Sequence, residues 1–289
     1  MYFTNELNLP APLANALRRD EYSKGNASFS ATGLLRPPRM AALYDDPNNI
    51  IYRDVRQNLW TLFGTAVHKI LEGSEHPDYI TEERLFCDVQ GARLSGQIDI
   101  QHIQKDGSRV LQDYKTRKAY GVMNNDSDEK QLNIYAYLAQ RNDIKVSGLQ
   151  IINFIKDWSK RDAERNPDYP PHDIHIQDIK LWPFDEAERF VEERIQAHQA
   201  ALSGELPDCT DEERWLRDEK FAVMKEKRVR AIRVFDSQME AESFISAQKD
   251  ADKHSIDHRR GMPLRCMEFC DVSGYCDQYA TFKQENEDD

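Results

Sequence analysis

The sequence predicts an α/β fold in which a central mixed sheet is flanked by helices and followed by a cysteine-bearing C-terminal region. Three observations predict it. The apolar period changes along the chain in the order helix, three strands, helix, strand, the pattern of an α/β domain. The 289 residues include 12 Phe, 12 Tyr and 4 Trp, enough for one large domain or two small ones with a real core. After Pro207 the character shifts, with a basic hairpin and then three of the 5 cysteines clustered near the C-terminus. The expected organisation is a core over 1–205 with an N-terminal helical segment. A region over 206–289, with a basic hairpin, a helix and a cysteine cluster, is expected to pack on that core.

Each element has a local reason. Residues 1–50 are mixed, and Pro37-Pro38 and Asp45-Asp46-Pro47 break any long element, leaving a short helix from Arg39 to Tyr44. Between Asp54 and Leu71, the residues Val55, Leu59, Leu62, Phe63, Ala66, Val67, Ile70 and Leu71 recur at helical spacing, and Gly73 ends the run. Leu85, Cys87 and Val89 then alternate, as do Leu94, Ile98 and Ile100, and Val110-Leu111 opens a third extended run. Gly91 and Asp106-Gly107 supply the turns. A helix is expected over 129–140, a buried strand over 149–155 and a loop over 166–171. A strand through Ile174, Ile176, Ile179 and Leu181 and a polar helix over 185–202 follow. Lys220–Met224 and Arg228–Phe235 predict a hairpin turning at 225–227, with a further helix over 237–249.

Lys plus Arg is 39 against 51 for Asp plus Glu, a net charge of -12. That excludes coating of nucleic acid by bulk charge, though not an acidic site that needs metal ions before it can hold phosphate. The acidic surplus is expected on the outer surface, in the 185–194 helix and the 285–289 tail. No basic stretch followed by an apolar run opens the chain, and no window approaches ~18 uninterrupted apolar residues. A cytoplasmic protein with reduced thiols and no membrane segment is expected.

The most informative stretch is Ser95-Gly-Gln-Ile-Asp99 followed by Gln112-Asp113-Tyr-Lys115-Thr116. Strand side chains have a period of two, so Asp113 and Lys115 project to one face, and a hairpin brings Asp99 alongside. Two carboxylates and an ammonium suit Mg²⁺ or Mn²⁺ with a water to be activated, the lysine positioning that water or steadying developing charge. D-x-K alone marks an ordinary exposed sheet face far more often than a site, and it is the surrounding segments that change the weighing. His68 on the upstream helix is either a metal ligand or a structural histidine. Gln131 and Tyr135 share a helix face at i and i+4. They either orient Lys115 or are, respectively, solvated and core.

The series Gly64-Thr-Ala-Val-His68, Gly96-Gln-Ile-Asp99, Asp113-Tyr-Lys115-Thr116 and Gln131-Leu-Asn-Ile-Tyr135 resembles the RecB-type branch of the PD-(D/E)XK nuclease superfamily in order, spacing and element type. The likeness covers roughly residues 30–156. It implies a PD-(D/E)XK fold with His68, Asp99 and Asp113 as metal ligands, joined by the Tyr114 backbone carbonyl. Lys115 would be the catalytic lysine, and Gln131 and Tyr135 the supporting motif.

Cys266, Cys270 and Cys276 lie close together, and Cys209, between Pro207 and Thr210, is the candidate fourth ligand. Thiolates suit an iron–sulfur cluster or zinc, whereas three reduced thiols in a loop would need neither. The triplet is similar to that of the iron–sulfur nucleases of CRISPR adaptation and phage recombination, which implies a [4Fe-4S] cluster with Zn²⁺ as the alternative. It departs from them in the length of its first gap and in placing the remote cysteine after the nuclease core. Cys87, between Leu85 and Val89, reads as a core thiol.

DNA, single-stranded or with free ends, is the expected partner, with a recombination or repair protein as a further one and the oligomeric state open. Lys225, Lys227, Arg228, Arg230 and Arg233 concentrate positive charge that either tracks a phosphate backbone or protects a hairpin edge. Arg36, Arg39 and Trp158, the last for base stacking, are weaker candidates. The expected activity is metal-dependent hydrolysis of DNA, exonucleolytic, in recombination, repair or phage DNA processing. Its rivals are a non-catalytic module that binds DNA ends or a partner, and an unrelated hydrolase with a zinc-stabilised tail.

Overall fold

The computed structural model describes residues 1–19, 23–74, 76–123 and 127–287. Asp288 and Asp289 of the acidic tail lie outside them. The chain divides into two compact units, Met1–Pro207 and Asp208–Asp289.

In the first unit, β1 (Phe29–Ser30), β2 (Tyr79–Val89), β3 (Ala92–Ile103), β4 (Arg109–Arg117), β5 (Val146–Ile155) and β6 (Ile174–Ile179) form a mixed six-stranded sheet. Its order is β1-β3-β4-β5-β6, with β2 antiparallel to β3 on the other edge. A two-residue loop, Gln90-Gly91, joins β2 to β3 with φ 49 and 70, the pair of positive angles of a type I′ hairpin turn. Strands β4 and β5 are parallel and joined through helix Ser127–Arg141. Three further helices complete the set used below. In chain order they are α1 (Pro38–Asp45), α2 (Leu59–Glu72), α3 (Ser127–Arg141) and α4 (Phe184–Leu202).

The core lies between sheet and helices. Leu94, Ile98, Leu111 and Ile151 from the strands meet Leu132 and Leu138 of α3 and Val191 and Ile195 of α4. Each such side chain contributes about 1.5–3 kcal/mol on burial. Helix α3 is buried nearly all round, including Tyr137 and Asn133, so it is an interior helix rather than an amphipathic one. Gly96 permits its approach. A Cβ there would stand 2.6 Å from Leu138 Cδ1 and 2.9 Å from Tyr135 Cδ1.

Several boundaries differ from the sequence expectation, each for a local reason. The helix expected from Asp54 begins with a 3-10 turn, Val55–Asn58. There the Asp54 carboxylate caps the Arg56 N–H at 3.0 Å while also accepting from the Glu6 N–H at 2.8 Å. Strand β2 starts at Tyr79, before Leu85, and is not marked there because Thr81-Glu82-Glu83-Arg84 carry no apolar residue to alternate. The mixed-sign stretch after Trp158 holds a short helix, Lys160–Arg165, capped by Ser159. Phe63 and Ile70, which share the helical apolar period, are 50% and 72% exposed. In α2 it is Leu59 and Leu62 that pack, against Ala14, Leu17 and Val55.

In the second unit, Lys220–Lys225 is the centre of a three-stranded antiparallel sheet between Arg233–Phe235 and His254–Arg259. The hairpin's second strand thus starts at Arg233 rather than Arg228. Lys227 adopts φ 64, and 226–230 stays exposed. The third strand has Ile256 as its only apolar residue, too little to mark it in the sequence. Phe221, Val223 and Ala241 of helix Gln238–Ser246 form a small core with Phe235, Phe244, Ile245 and Ile256. The cysteine segment is a succession of short turns, Arg265–Phe269 and Ser273–Tyr275, ahead of helix Asp277–Glu287. No helix among the described residues is long and apolar enough to cross a membrane.

Candidate active site

The sheet opens at Asp99. One edge of β3 pairs with β4 only from Ile100 to Ile103, and with β1 at Leu94 and Ser95. Asp99 falls in the gap between. The ladder with β4 ends at Ile100 and Gln112, one position before Asp99 and Asp113, so the two aspartates face each other where the strands part. On the opposite edge, β2 pairs with β3 on either side of Glu82 but not at it, which leaves Glu82 level with Asp99. Three carboxylates therefore stand at one level on three neighbouring strands. Like charges placed opposite one another destabilise a sheet, so such a row signals a site rather than a scaffold.

The gap changes the hydrogen bonding. The Tyr114 N–H, which has no strand carbonyl to meet, donates to Asp99 Oδ2 at 2.9 Å. His68 reaches in from α2, with Nδ1 3.6 Å from Asp99 Oδ2 and 3.8 Å from Glu82 Oε1. Its Nε2 lies 3.2 Å from the Tyr114 carbonyl oxygen. A ring nitrogen that donates to a carbonyl leaves the other nitrogen's lone pair for a metal. In this arrangement the Tyr114 carbonyl orients His68. Glu82 is held in turn by Gln97 Nε2 at 2.6 Å from Oε2, and Arg84 donates to Gln97.

Lys115 and Asp113 sit side by side, Nζ to Oδ2 at 2.6 Å, as their two-residue spacing on one strand requires. The Gln131 amide bridges them. Its Oε1 accepts from Lys115 Nζ at 3.1 Å and its Nε2 donates to Asp113 Oδ1 at 2.9 Å, with Tyr135 Oη 3.0 Å from the same nitrogen. The register of α3 over β4 is fixed by a buried fork, Arg117 Nη1 and Nη2 to the Asp128 carboxylate at 2.6 and 3.0 Å.

Electrostatics follow from burial and crowding. Burial, then the Asp113 charge, pushes the Asp99 carboxyl up to about 7. His68 is raised to about 9, first by the neighbouring Glu82 carboxylate and then, against the cost of burial, by Asp99 and Asp113. Burial works to lower Lys115, but the Asp113 and Asp99 charges outweigh it and raise its affinity for the proton. Lys115 thus stays an ammonium at neutral pH.

The donor set fits a hard divalent cation. Among the described residues, His68, Glu82 and Asp99 offer one nitrogen and two carboxylate oxygens within 4.8 Å of one another. A crowded acidic site that retains protons in place of a counter-charge has the chemistry that Mg²⁺ or Mn²⁺ satisfies. The structure brings together His68, Asp99, Asp113, Lys115, Gln131 and Tyr135, and adds Glu82, which sequence reasoning missed. The adjacent pair Glu82-Glu83 ahead of a strand was the available signal, and it is weak.

The other candidates separate. Arg39 is buried and donates from Nε to the Pro207 carbonyl at 3.0 Å, a structural role. Trp158 is half-buried against Ala119, Val122 and Ile155 and donates to the Pro170 carbonyl at 2.9 Å, so it is engaged in packing. Arg36 lies over the Tyr44 ring at 5.9 Å. Lys225 is paired with Asp250, and Arg233, though exposed, lies over the Phe235 ring at 5.0 Å, while Lys227, Arg228 and Arg230 make up the exposed turn itself. Cys87 is in the core, its thiol pushed up to about 11 by burial.

The four cysteines of the second unit are not gathered as a preformed ligand set, since among the described residues only His68, Glu82 and Asp99 bring three donor atoms within 4.8 Å of one another. Burial raises the Cys270 thiol, and the nearby Cys266 and Cys276 act in the same sense. Arg265 stands close enough to Cys209, Cys270 and Cys266 to feel each of them. Gln278 ties Cys209 to the helix beyond Cys276, accepting from the Cys209 N–H and donating to its carbonyl, both at 2.9 Å.

A sequence model of the PD-(D/E)XK nuclease superfamily matches residues 65–277, a span that contains every site residue named above and all four of these cysteines. Among solved structures the chain is similar to one described as "Crystal structure of SSO0001", at 17% identity and a TM-score of 0.44, over 64% of this chain and 83% of that one. No curated protein matches the chain.

Proposed function

Because the chain belongs to the PD-(D/E)XK nuclease superfamily, whose members are generally metal-dependent nucleases, we propose that it hydrolyses DNA phosphodiester bonds with Mg²⁺ or Mn²⁺. The observation that carries this reading is the row of Glu82, Asp99 and Asp113 at the opening of the sheet, with His68 above it and Lys115 beside it. His68, Glu82 and Asp99 hold the metal, and Asp113 lies next to them. Tyr114 serves through its backbone: the carbonyl orients His68 and the N–H orients Asp99.

A divalent cation bound there supplies charge neutralisation of the scissile phosphate and a more acidic water. The chain supplies the rest. Lys115, kept as an ammonium by Asp113 and fixed by Gln131, steadies negative charge as it grows on a phosphate oxygen; it is no general base. Gln131 holds both partners in one geometry, and Tyr135 supports Gln131 from one helical turn away.

The reaction is exonucleolytic in this reading, and it serves recombination, repair or phage DNA processing. Cys209, Cys266, Cys270 and Cys276 bind a [4Fe-4S] cluster, with Zn²⁺ as the alternative. Their all-sulfur donor set, which a metal would draw together, supports a soft metal centre. Anaerobic purification followed by iron, sulfide and zinc analysis decides between the two. A colourless protein with stoichiometric zinc would overturn the iron–sulfur assignment. The nuclease reading is tested by incubating labelled single- and double-stranded DNA with each metal. Unchanged cleavage by Lys115→Ala and Asp113→Ala would overturn it, and DNA binding without cleavage would favour a non-catalytic module.

A further inference from the structure

Helix α2 carries more than His68. Trp60 and Phe63 are 56% and 50% exposed and lie together, ring centroids 5.6 Å apart. The Lys156 ammonium sits 3.8 Å from the centre of the Trp60 ring. Lys156 follows β5 directly, its N–H bonded to the Arg117 carbonyl at the end of β4, with exposed Lys118 next along the chain. Two aromatic faces and two ammonium groups thus share one surface.

That surface is continuous with the carboxylate site. Trp60, Gly64 and His68 are spaced i, i+4, i+8, hence along one ridge of α2. Between the aromatic ring and the imidazole, Gly64 leaves a notch, and a Cβ built there meets nothing within 4 Å. Helix α2 runs against β4, since His68 lies by Tyr114 while Trp60 lies by Lys156, which bonds to Arg117. Eight helical residues span about 12 Å and three strand residues about 10 Å, so the two measures of the separation agree. It corresponds to roughly three stacked nucleotides at about 3.4 Å each.

We propose that Trp60 and Phe63 form a stacking platform for unpaired bases, with Lys156 and Lys118 taking the intervening phosphates, so that a single strand is led along α2 into the carboxylate site. A base inside a duplex has both faces covered by its neighbours and cannot use such a platform, which makes single-stranded DNA the preferred ligand. The charge of the two lysines is opposite to that of a phosphate backbone, which favours this occupant over an apolar protein surface. The inference rests on the nuclease reading for its direction of travel, but its test does not depend on cleavage.

Binding is measured in EDTA at fixed low salt with a labelled oligothymidylate, the same backbone carrying abasic sites, and a duplex of equal length. Wild type binds oligothymidylate best. The double substitution Trp60→Ala with Phe63→Ala weakens that binding about tenfold or more and leaves the abasic strand unaffected, while Trp60→Phe retains most of the affinity. Equal losses on normal and abasic strands, no loss, or undetectable wild-type binding would each overturn the proposal. So would a change of oligomeric state in the double variant, which would make the patch a contact between copies of the chain. A wild type that fails to cleave with Mg²⁺ or Mn²⁺ yet shows the base-dependent loss would defeat the nuclease reading and leave the platform standing.

Discussion

Asp99, Asp113 and Lys115 stand on long strands backed by Leu94, Ile98 and Leu111, all fully buried. Cys266, Cys270 and Cys276 stand on short turns, where Val272 is the buried apolar residue. The first set is therefore positioned by an apolar core that needs no ligand, and a metal adds chemistry to a scaffold already in place. The second has little apolar area to hold it, so the proposed metal centre on the thiolates would carry its order.

The largest expected effect separates the two regions. If the cysteines hold the proposed centre, Cys266→Ser or Cys276→Ser removes much of a metal-binding free energy on the order of 10 kcal/mol. Limited proteolysis should then cut within 208–289 while 1–207 stays protected. Full protection of both units in these variants would erase the contrast. In the carboxylate site, Gln131→Ala leaves Lys115 and Asp113 without their common bridge. It should lower kcat by on the order of 10²-fold with little change in KM or Tm. A fall in Tm with kcat preserved would make Gln131 a packing residue.

The pH dependence of metal binding is a further test. His68 is raised to about 9 and Asp99 to about 7, so both hold protons that a cation must displace. Mn²⁺ affinity should climb from pH 6 toward pH 9, about tenfold per unit where one proton is released. Calorimetry in two buffers of different ionisation enthalpy counts the protons, and a flat profile would contradict the assignment. The smallest effect concerns stability. Asp99 is raised from 3.8 to about 7, so its contribution to folding is most favourable below pH 3.8 and is lost as pH rises through 7. Asp99→Asn should accordingly raise the Tm of metal-free protein at pH 8 by about 2–4 °C, while an Asn oxygen still accepts the Tyr114 N–H. A lower Tm would show that the Asp99–His68 attraction outweighs the crowding.

The motif residues were legible because their chemistry is tied to local periods. Asp113 and Lys115 share a strand face at spacing two, and Gln131 and Tyr135 a helix face at spacing four. Gly96 and Asp99 mark the strand on which the helix descends. Glu82 was not legible. Its place opposite Asp99 depends on the β2–β3 register, and the polar run Thr81-Glu82-Glu83-Arg84 has no apolar alternation to reveal the strand. Phe63 and Ile70 fit the helical period of α2, but a period says which residues share a face and not whether anything covers it. Trp158, a weak stacking candidate by its charged neighbours, instead packs against Val122 and Ile155. The third strand of the second unit, His254–Arg259, carries too few apolar residues to be read without its partner.

The central claim is that the three carboxylates at the sheet opening, with Lys115, form a hydrolytic metal site. A time course on end-labelled single-stranded DNA with Mg²⁺ or Mn²⁺, wild type beside Lys115→Ala, tests it most directly. The expected result is shortening by the wild type that EDTA abolishes, and a rate in Lys115→Ala lower by about 10²–10³-fold at unchanged Tm. Equal rates for the two proteins, or cleavage that persists in EDTA, would contradict it.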